Sequence, residues 1–272
     1  MIEVDRLQRI TSETENPSSK GNQNKWYFDG KWYKEDGLGY EALAEVLVSR
    51  LLLKTNVRQS VVYQYEPLLR DGRVVHGCVS ENFMQPEDDK VISVERLFQA
   101  CEGKSAAKAI LAYEEPIDKI RYVIQTVERT TGLVDFGQYL REVLSIDALF
   151  FNEDRHFHNL AVIRKKDGSY RQCPVFDHGA ALFSDIRKDY PISMTEEECR
   201  SKIRSKPFSR DFDEQLDACE LLFPAVRFRA AFTIEDAIHI LSEFRGVYDE
   251  AILRRVEDTI RMQIRKYSYM FS

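Results

Sequence analysis

Strand signals crowd into the first 85 residues of this chain and helical periodicity fills most of the remaining length, a segregation that limits it to an α+β architecture. In "KWYFDGKWYK", residues 25–34, two aromatic runs flank Asp29-Gly30, a pair that tolerates positive φ and so predicts a tight hairpin whose second strand ends at Lys34. The spacing of Leu43, Val46, Leu47 and Leu51 then predicts a helix of about four turns within "YEALAEVLVSRLLLKTN", residues 40–56. Two further strand-like runs, "QSVVYQYEPLL" and "VVHGCVSENFM", meet at a turn through Asp71-Gly72 and lead into a loop, "QPEDD". From "ISVERLFQACEG" onward the pattern is helical, through 115–132, 136–152, 233–244 and 248–271, broken by one hairpin at 160–176 around Asp167-Gly168. The expectation is a small antiparallel-sheet lobe with one main helix, residues 1–85, and a mostly helical lobe, residues 86–272.

Composition excludes several function classes. Of the 272 residues 43% are hydrophobic and 31% charged, so a sizeable core can form, and no composition-driven disorder is expected. With 39 basic against 45 acidic side chains the net charge is −6, which argues against a general nucleic-acid binder. The five cysteines are scattered without a C-x-x-C pair, which reads as free thiols in a reducing cytoplasm. The first twenty residues lack a basic patch followed by an apolar run, and no apolar stretch is long enough to span a bilayer, so neither a signal peptide nor a membrane anchor is expected.

The chemistry concentrates in "NEDRHFHNLAVIRKKDGSYRQCPVFDHG", residues 152–179. Asp154 and Asn159 keep a D-x-x-x-x-N interval, and the hairpin returns the chain to Asp177, two residues before Gly179. Phosphoryl transfer needs a cation on the phosphates, hard oxygens on Mg²⁺, a carboxylate beside the acceptor hydroxyl and a lid. Asp154 is the candidate for the third part, Asn159 and Asp177 for the second, and Lys34 for the first. Lys34 could equally be a solvated lysine at a strand end. Glu45 and Glu41 both lie on the next helix; Glu45, deeper within it, is the preferred partner for Lys34.

"NEDRHFHN" with "FDHG" after it resembles the D-R-H-x-x-N and D-x-G motifs of phosphoinositide kinases and the catalytic segment of HipA-like bacterial kinases. With "GYEALAEVLVSRLL", "GCVSENFM" and "CPVFDHGAALFSD" the resemblance extends to the CtkA-like group of small bacterial protein kinases and covers most of residues 20–190. It implies a two-lobed kinase fold, ATP and Mg²⁺ as cofactors, and phosphorylation of protein Ser, Thr or Tyr hydroxyls, often including the kinase's own. By position it implies Asp154 as catalytic aspartate, Asn159 and Asp177 as metal ligands, Lys34 as the phosphate-contacting lysine, and backbone groups of Phe83, Met84 and Gln85 against adenine. His156 takes the histidine of D-R-H, either packed against the hairpin or touching the γ-phosphate, and Arg155 steadies the loop. No G-x-G-x-x-G occurs; Ser18, Ser19 and Gly21 could supply a phosphate lid, or "TSETENPSSKGNQNK" could be a plain linker. The stretch 184–212 could be a solvated charged surface or an activation segment. A small-molecule or lipid kinase and a nucleotide-binding pseudokinase or toxin-like interaction module remain as alternative functions.

Overall fold

The computed structural model describes residues 2–7, 23–225 and 227–271. Ser18, Ser19 and Gly21 lie outside these residues. Strands β2 (Lys25–Phe28) and β3 (Lys31–Glu35) pair antiparallel with Phe28 opposite Lys31, across Asp29 and Gly30 at φ 49° and 75°. This is the predicted hairpin.

The next two strand-like runs behave differently from expectation, because each is divided. The first gives β4 (Tyr63–Tyr65) and β5 (Leu68–Arg70), the second β6 (Arg73–Val75) and β7 (Gly77–Glu81). Strands β4 and β7 complete a four-stranded sheet of order β2-β3-β7-β4, whereas β5 and β6, joined at Asp71-Gly72, form a second sheet with β1 (Ile2–Glu3). Pro67 brings no N–H to a ladder, so one sheet cannot continue through it. Gly77 marks the matching break: a Cβ there would stand 2.6 Å from the Lys34 carbonyl oxygen and 2.7 Å from Leu68. Only glycine lets β7 approach both.

Helix α1 (Glu41–Leu52) is shorter than predicted; after it Thr55 Oγ1 donates to the Leu52 carbonyl, and Asn56 binds Arg227 O and Arg229 N, so these side chains compete for the backbone the helix would use. A third sheet, β10 (Tyr170–Gln172), β9 (Ala161–Lys165) and β8 (Asp88–Ser93), contains the predicted 160–176 hairpin plus a strand that runs from the end of the expected loop into the start of the stretch expected to be helical. Ser93 ends β8 and caps α2 (Val94–Glu102), accepting the Arg96 N–H.

The helical remainder comprises α3 (Ala106–Ala109), α4 (Pro116–Thr131), α5 (Phe136–Phe150), α6 (Glu196–Lys202), α7 (Phe212–Leu222), α8 (Ile234–Ser242) and α9 (Glu250–Lys266). Helix α5 is buried along its length apart from Gln138, with α4, α7 and α9 packed around it. Helices α6 and α7 fall in or just beyond the 184–212 stretch, where the sequence pattern shows no helix. One continuous core runs from Tyr40 and α1 through α5 to α9 and Met270, and α1 packs directly on α8. All five cysteines are free, four buried and Cys101 exposed. No described helix is long and apolar enough to cross a membrane.

Candidate active site

The site grows from β3. As a strand between β2 and β7, β3 has its backbone saturated by the ladder, and its side chain at Lys34 is buried. The Lys34 ammonium donates to Glu45 Oε1 on α1 and, at 2.8 Å, to Asp177 Oδ1, with the Tyr63 ring 4.8 Å away. The second oxygen of Glu45 accepts the His178 N–H at 2.8 Å, so one fully buried carboxylate joins β3, α1 and the Asp177-His178 backbone. Glu41 is spent elsewhere: its carboxylate accepts the N–H groups of Gly37 at 3.2 Å, Leu38 at 2.5 Å and Gly39 at 2.9 Å. Glu45 is therefore the partner of Lys34.

Burial alone would favour neutral forms throughout this cluster. Against that burial, Asp177 and Glu45 together hold the Lys34 ammonium well above its ordinary value. Against the same burial, Lys25, Lys34 and Arg155 hold Asp177 well below the usual carboxylate range; Lys25 Nζ lies 3.9 Å from its second oxygen. For Glu45 burial outweighs Lys34, and its proton affinity rises. Asp177 and Lys34 thus stay ionised, facing one another.

Arg155 organises the opposite wall. Fully buried, it pairs through Nε at 2.9 Å with Asp147 Oδ2 of α5, and its Nη1 donates to the carbonyls of Asn159 at 3.2 Å and Phe176 at 2.8 Å. One guanidinium therefore brings the Asn159 end of the 152–159 loop to the residue preceding Asp177. Asn152 repeats the link, donating to Asp147 Oδ1 at 3.0 Å and to the Asp177 carbonyl at 3.2 Å. The Asn159 side-chain amide donates to the Asp154 carbonyl at 3.3 Å, which leaves its own oxygen as the acceptor end. Asp154 itself is buried but for 9%, accepts from Lys206 Nζ at 2.9 Å through Oδ1, and lies 3.8 Å from His156 Nε2 through Oδ2. The His156 ring stands edge-on to His158, and burial lowers its pKa, so it is neutral near pH 7.

The backbone around the second motif is strained. Asp177, Leu182 and Phe183 all hold φ near +60°, at 65°, 59° and 60°, which for bulky residues costs about 1–3 kcal/mol each. The strain is held by the Phe150 carbonyl, which accepts the Leu182 N–H, and by the Tyr40 hydroxyl, which donates to the Leu182 carbonyl at 2.6 Å. His178 is fully buried with neither ring nitrogen bonded among the described residues, and burial first, then Arg155 and Lys34, hold its pKa well below normal.

At residues 83–85 several backbone groups already have partners: Met84 N–H meets Asn82 Oδ1, Gln85 N–H meets Asp88 Oδ2, and the Phe83 carbonyl accepts from Arg171. Phe83 N–H and Met84 C=O have none among the described residues. The Phe83 ring stacks on Phe176 at 6.1 Å. Sequence reasoning missed Asp147, Asn152, Lys25 and Lys206. Asp147 carried a usable signal, since a lone carboxylate in the apolar run "LSIDALFF" must find a cation once buried. Lys206 carried none, standing among many basic residues.

No protein-family model and no curated protein sequence matches this chain. Solved structures do. The proinflammatory kinase CtkA of Helicobacter pylori superposes with a TM-score of 0.61 at 13% identity, covering 98% of this chain and 94% of that one. A chain of the Shewanella oneidensis MR-1 toxin–antitoxin complex of HipA, HipB and operator DNA superposes with a TM-score of 0.50 at 11% identity, covering 98% and 69%. Identities this low speak to architecture alone, and in architecture the chain is CtkA-like and HipA-like: a small antiparallel-sheet region set against a mostly helical remainder.

Proposed function

We propose that the chain is an ATP- and Mg²⁺-dependent kinase that phosphorylates hydroxyls of protein Ser or Thr, or of Tyr, itself included. The observation that carries this reading is that Lys34, Glu45 and Asp177 meet in one ion-pair cluster to which Arg155 and the Asn159 amide tie Asn159 and Asp154, drawing on β3, α1 and both ends of the β9–β10 hairpin. A dry ion pair such as Lys34–Glu45 supplies a fixed cation for phosphate oxygens, where low dielectric makes its field large. Asp154 is the acceptor-side carboxylate: it would take the hydroxyl proton, with Lys206 orienting it. His156, neutral and beside Asp154, can donate one hydrogen bond to a phosphate oxygen or simply pack. Phe83 N–H and Met84 C=O are the backbone groups left for adenine.

Among the described residues no cluster of three or more His, Cys, Asp or Glu forms a metal cage. Mg²⁺ does not require one, because it is commonly held by one or two protein oxygens together with phosphates and water. The donor set fits that mode: Asp177 is held ionised, and the Asn159 amide is oriented by its bond to the Asp154 carbonyl. When bound, Mg²⁺ would be held by Asn159 and Asp177 and would supply positive charge to the phosphates. Ser18, Ser19 and Gly21 remain the proposed lid.

The test is transfer from labelled ATP in the presence of Mg²⁺, with acceptors mapped by mass spectrometry. Asp154→Asn is expected to lower transfer by at least about a hundredfold while keeping nucleotide affinity, whereas Asp177→Asn weakens nucleotide binding itself. Wild-type turnover in Asp154→Asn, or unchanged nucleotide affinity in Asp177→Asn, would remove the assignment.

A further inference from the structure

Between α6 and α7 the chain folds residues 205–210 into a closed loop, with Ser205 N–H on the Arg210 carbonyl at 3.0 Å and Ser205 Oγ on the Ser209 carbonyl at 2.9 Å. The loop and the start of α7 are stapled to the chain around Asp154 by two edge-to-face ring pairs, Phe208 of the loop on Phe157 at 5.6 Å and Phe212 of α7 on Phe151 at 5.5 Å. Lys206 of this loop is the residue that binds Asp154 Oδ1 at 2.9 Å. Along the loop runs an open groove of about 830 Å³ whose lining includes Lys206, so the groove comes within one side chain of Asp154.

The groove has a sign. Its lining holds six cations, Lys119, Arg200, Arg204, Lys206, Arg210 and Lys266, against four carboxylates. One of the carboxylates is paired with a cation, and two others are hydrogen-bonded to neutral groups while keeping their charge. Asp211 caps α7 by accepting the N–H groups of Asp213 and Glu214, Asp213 pairs with Lys266 at 2.6 Å, and Glu214 accepts the Ser209 hydroxyl. The cations are largely uncommitted. Among the described residues Lys119, Arg200, Arg204 and Arg210 have no carboxylate partner; Arg200 reaches only Met262 Sδ at 3.3 Å, and Arg204 only the carbonyls of Ser201 and Ile203. The lining thus carries an excess of two cations over its carboxylates, and such an excess in a concavity attracts negative charge more strongly than on a convex face.

Resting on the kinase reading, we propose that this groove recognises the acceptor, and that the acceptor is an extended peptide segment with Asp or Glu flanking the hydroxyl it presents. Each exposed ion pair is weak, and three or four together give about tenfold in affinity at low salt. The net charge of −6 makes the selectivity more telling, since the chain as a whole repels such a peptide and only a local feature can draw it in.

The experiment uses the full chain and three fluorescein-labelled serine peptides of one length, flanked by Asp, Asn or Arg, with affinity read by anisotropy without ATP. The Asp peptide is expected to bind about tenfold tighter than the Asn peptide, and the Arg peptide weakest. Arg200→Gln with Arg210→Gln, both exposed and outside the catalytic cluster, should bring the Asp peptide down to the Asn value; Lys119→Gln, on a different element, should lower it in part. Equal affinity for the Asp and Asn peptides, or an unchanged preference in both variants, overturns the proposal. Phosphate transfer to the same peptides is read separately. Acid-selective binding with no transfer from Mg-ATP keeps the groove and rejects the kinase reading, while transfer without acid selectivity does the opposite.

Discussion

Single residues at this site do work that their type alone does not reveal. Glu41 and Glu45 are one helical turn apart and chemically identical, yet one closes the turn at 37–39 and the other neutralises Lys34. His178 couples the site to pH. Burial holds its folded pKa well below its ordinary value, so the unfolded chain binds the extra proton first as pH falls. The stability it contributes is complete above the unfolded value of about 6.5 and is lost progressively below it. Asp36, raised to about 7 by burial and then Glu41, acts in the opposite direction across the same range, so wild-type pH dependence alone would mix the two. The His178→Phe variant separates them. Between pH 7 and pH 5 wild type should lose about 1–2 kcal/mol more than this variant in urea unfolding. Parallel pH profiles for the two proteins would show that His178 does not titrate on unfolding.

At the scale of elements, the joint between α5, the 152–159 loop and the exit of β10 depends on Arg155. Its removal strands Asp147, which is fully buried and shares only Asn152 besides. Breaking such a pair from one side costs about 3–5 kcal/mol, whereas replacing both partners by apolar side chains can be nearly neutral. Arg155→Leu is therefore expected to lose that much stability, and Arg155→Leu with Asp147→Leu to recover most of it in the same denaturation series. Neither should restore the alignment of Asn159 with Asp177, because only the guanidinium bonds both the Asn159 carbonyl and the carbonyl of Phe176, which precedes Asp177. Recovered stability with unrecovered nucleotide binding is the expected pattern; binding restored in the double variant would show that the loop finds its place without Arg155. The motif spacing was readable in "NEDRHFHN" and "FDHG", but this joint was not, since Asp147 lies outside both motifs.

Across the whole molecule, the last helices fold back onto the first sheet region. Tyr248 donates its hydroxyl to Asp36 Oδ2 at 2.7 Å, Tyr65 packs edge-on to Phe244 at 5.5 Å, and Arg50 of α1 pairs with Glu243 at 2.7 Å. Asp36 comes directly after β3, so this clasp lies within two residues of Lys34. Tyr248→Phe should cost about 1–3 kcal/mol where Asp36 is ionised. Because the folded pKa of Asp36 is raised to about 7, the carboxylate is mostly protonated at pH 5 and the penalty should be smaller there than at pH 8. A penalty that is equal at both pH values would mean the hydroxyl does not serve the charged form. None of this clasp was legible from the chain, where Tyr248 reads as the start of an amphipathic helix and Asp36 as part of a turn. What the sequence by itself determined was local: the Asp-Gly hairpins, the helical periodicity of 115–132, 136–152 and the C-terminus, and the two motif spacings, all of which depend on residues within a few positions of one another. What only the tertiary structure decided was long-range. It gave Glu41 to the turn at 37–39, split the strands at Pro67 and Gly77 into two sheets, added β8 to the β9–β10 hairpin, and set Lys206 on Asp154. Each of those outcomes depends on which distant groups compete for the same buried hydrogen bond or the same ladder edge, and no window of sequence contains both competitors.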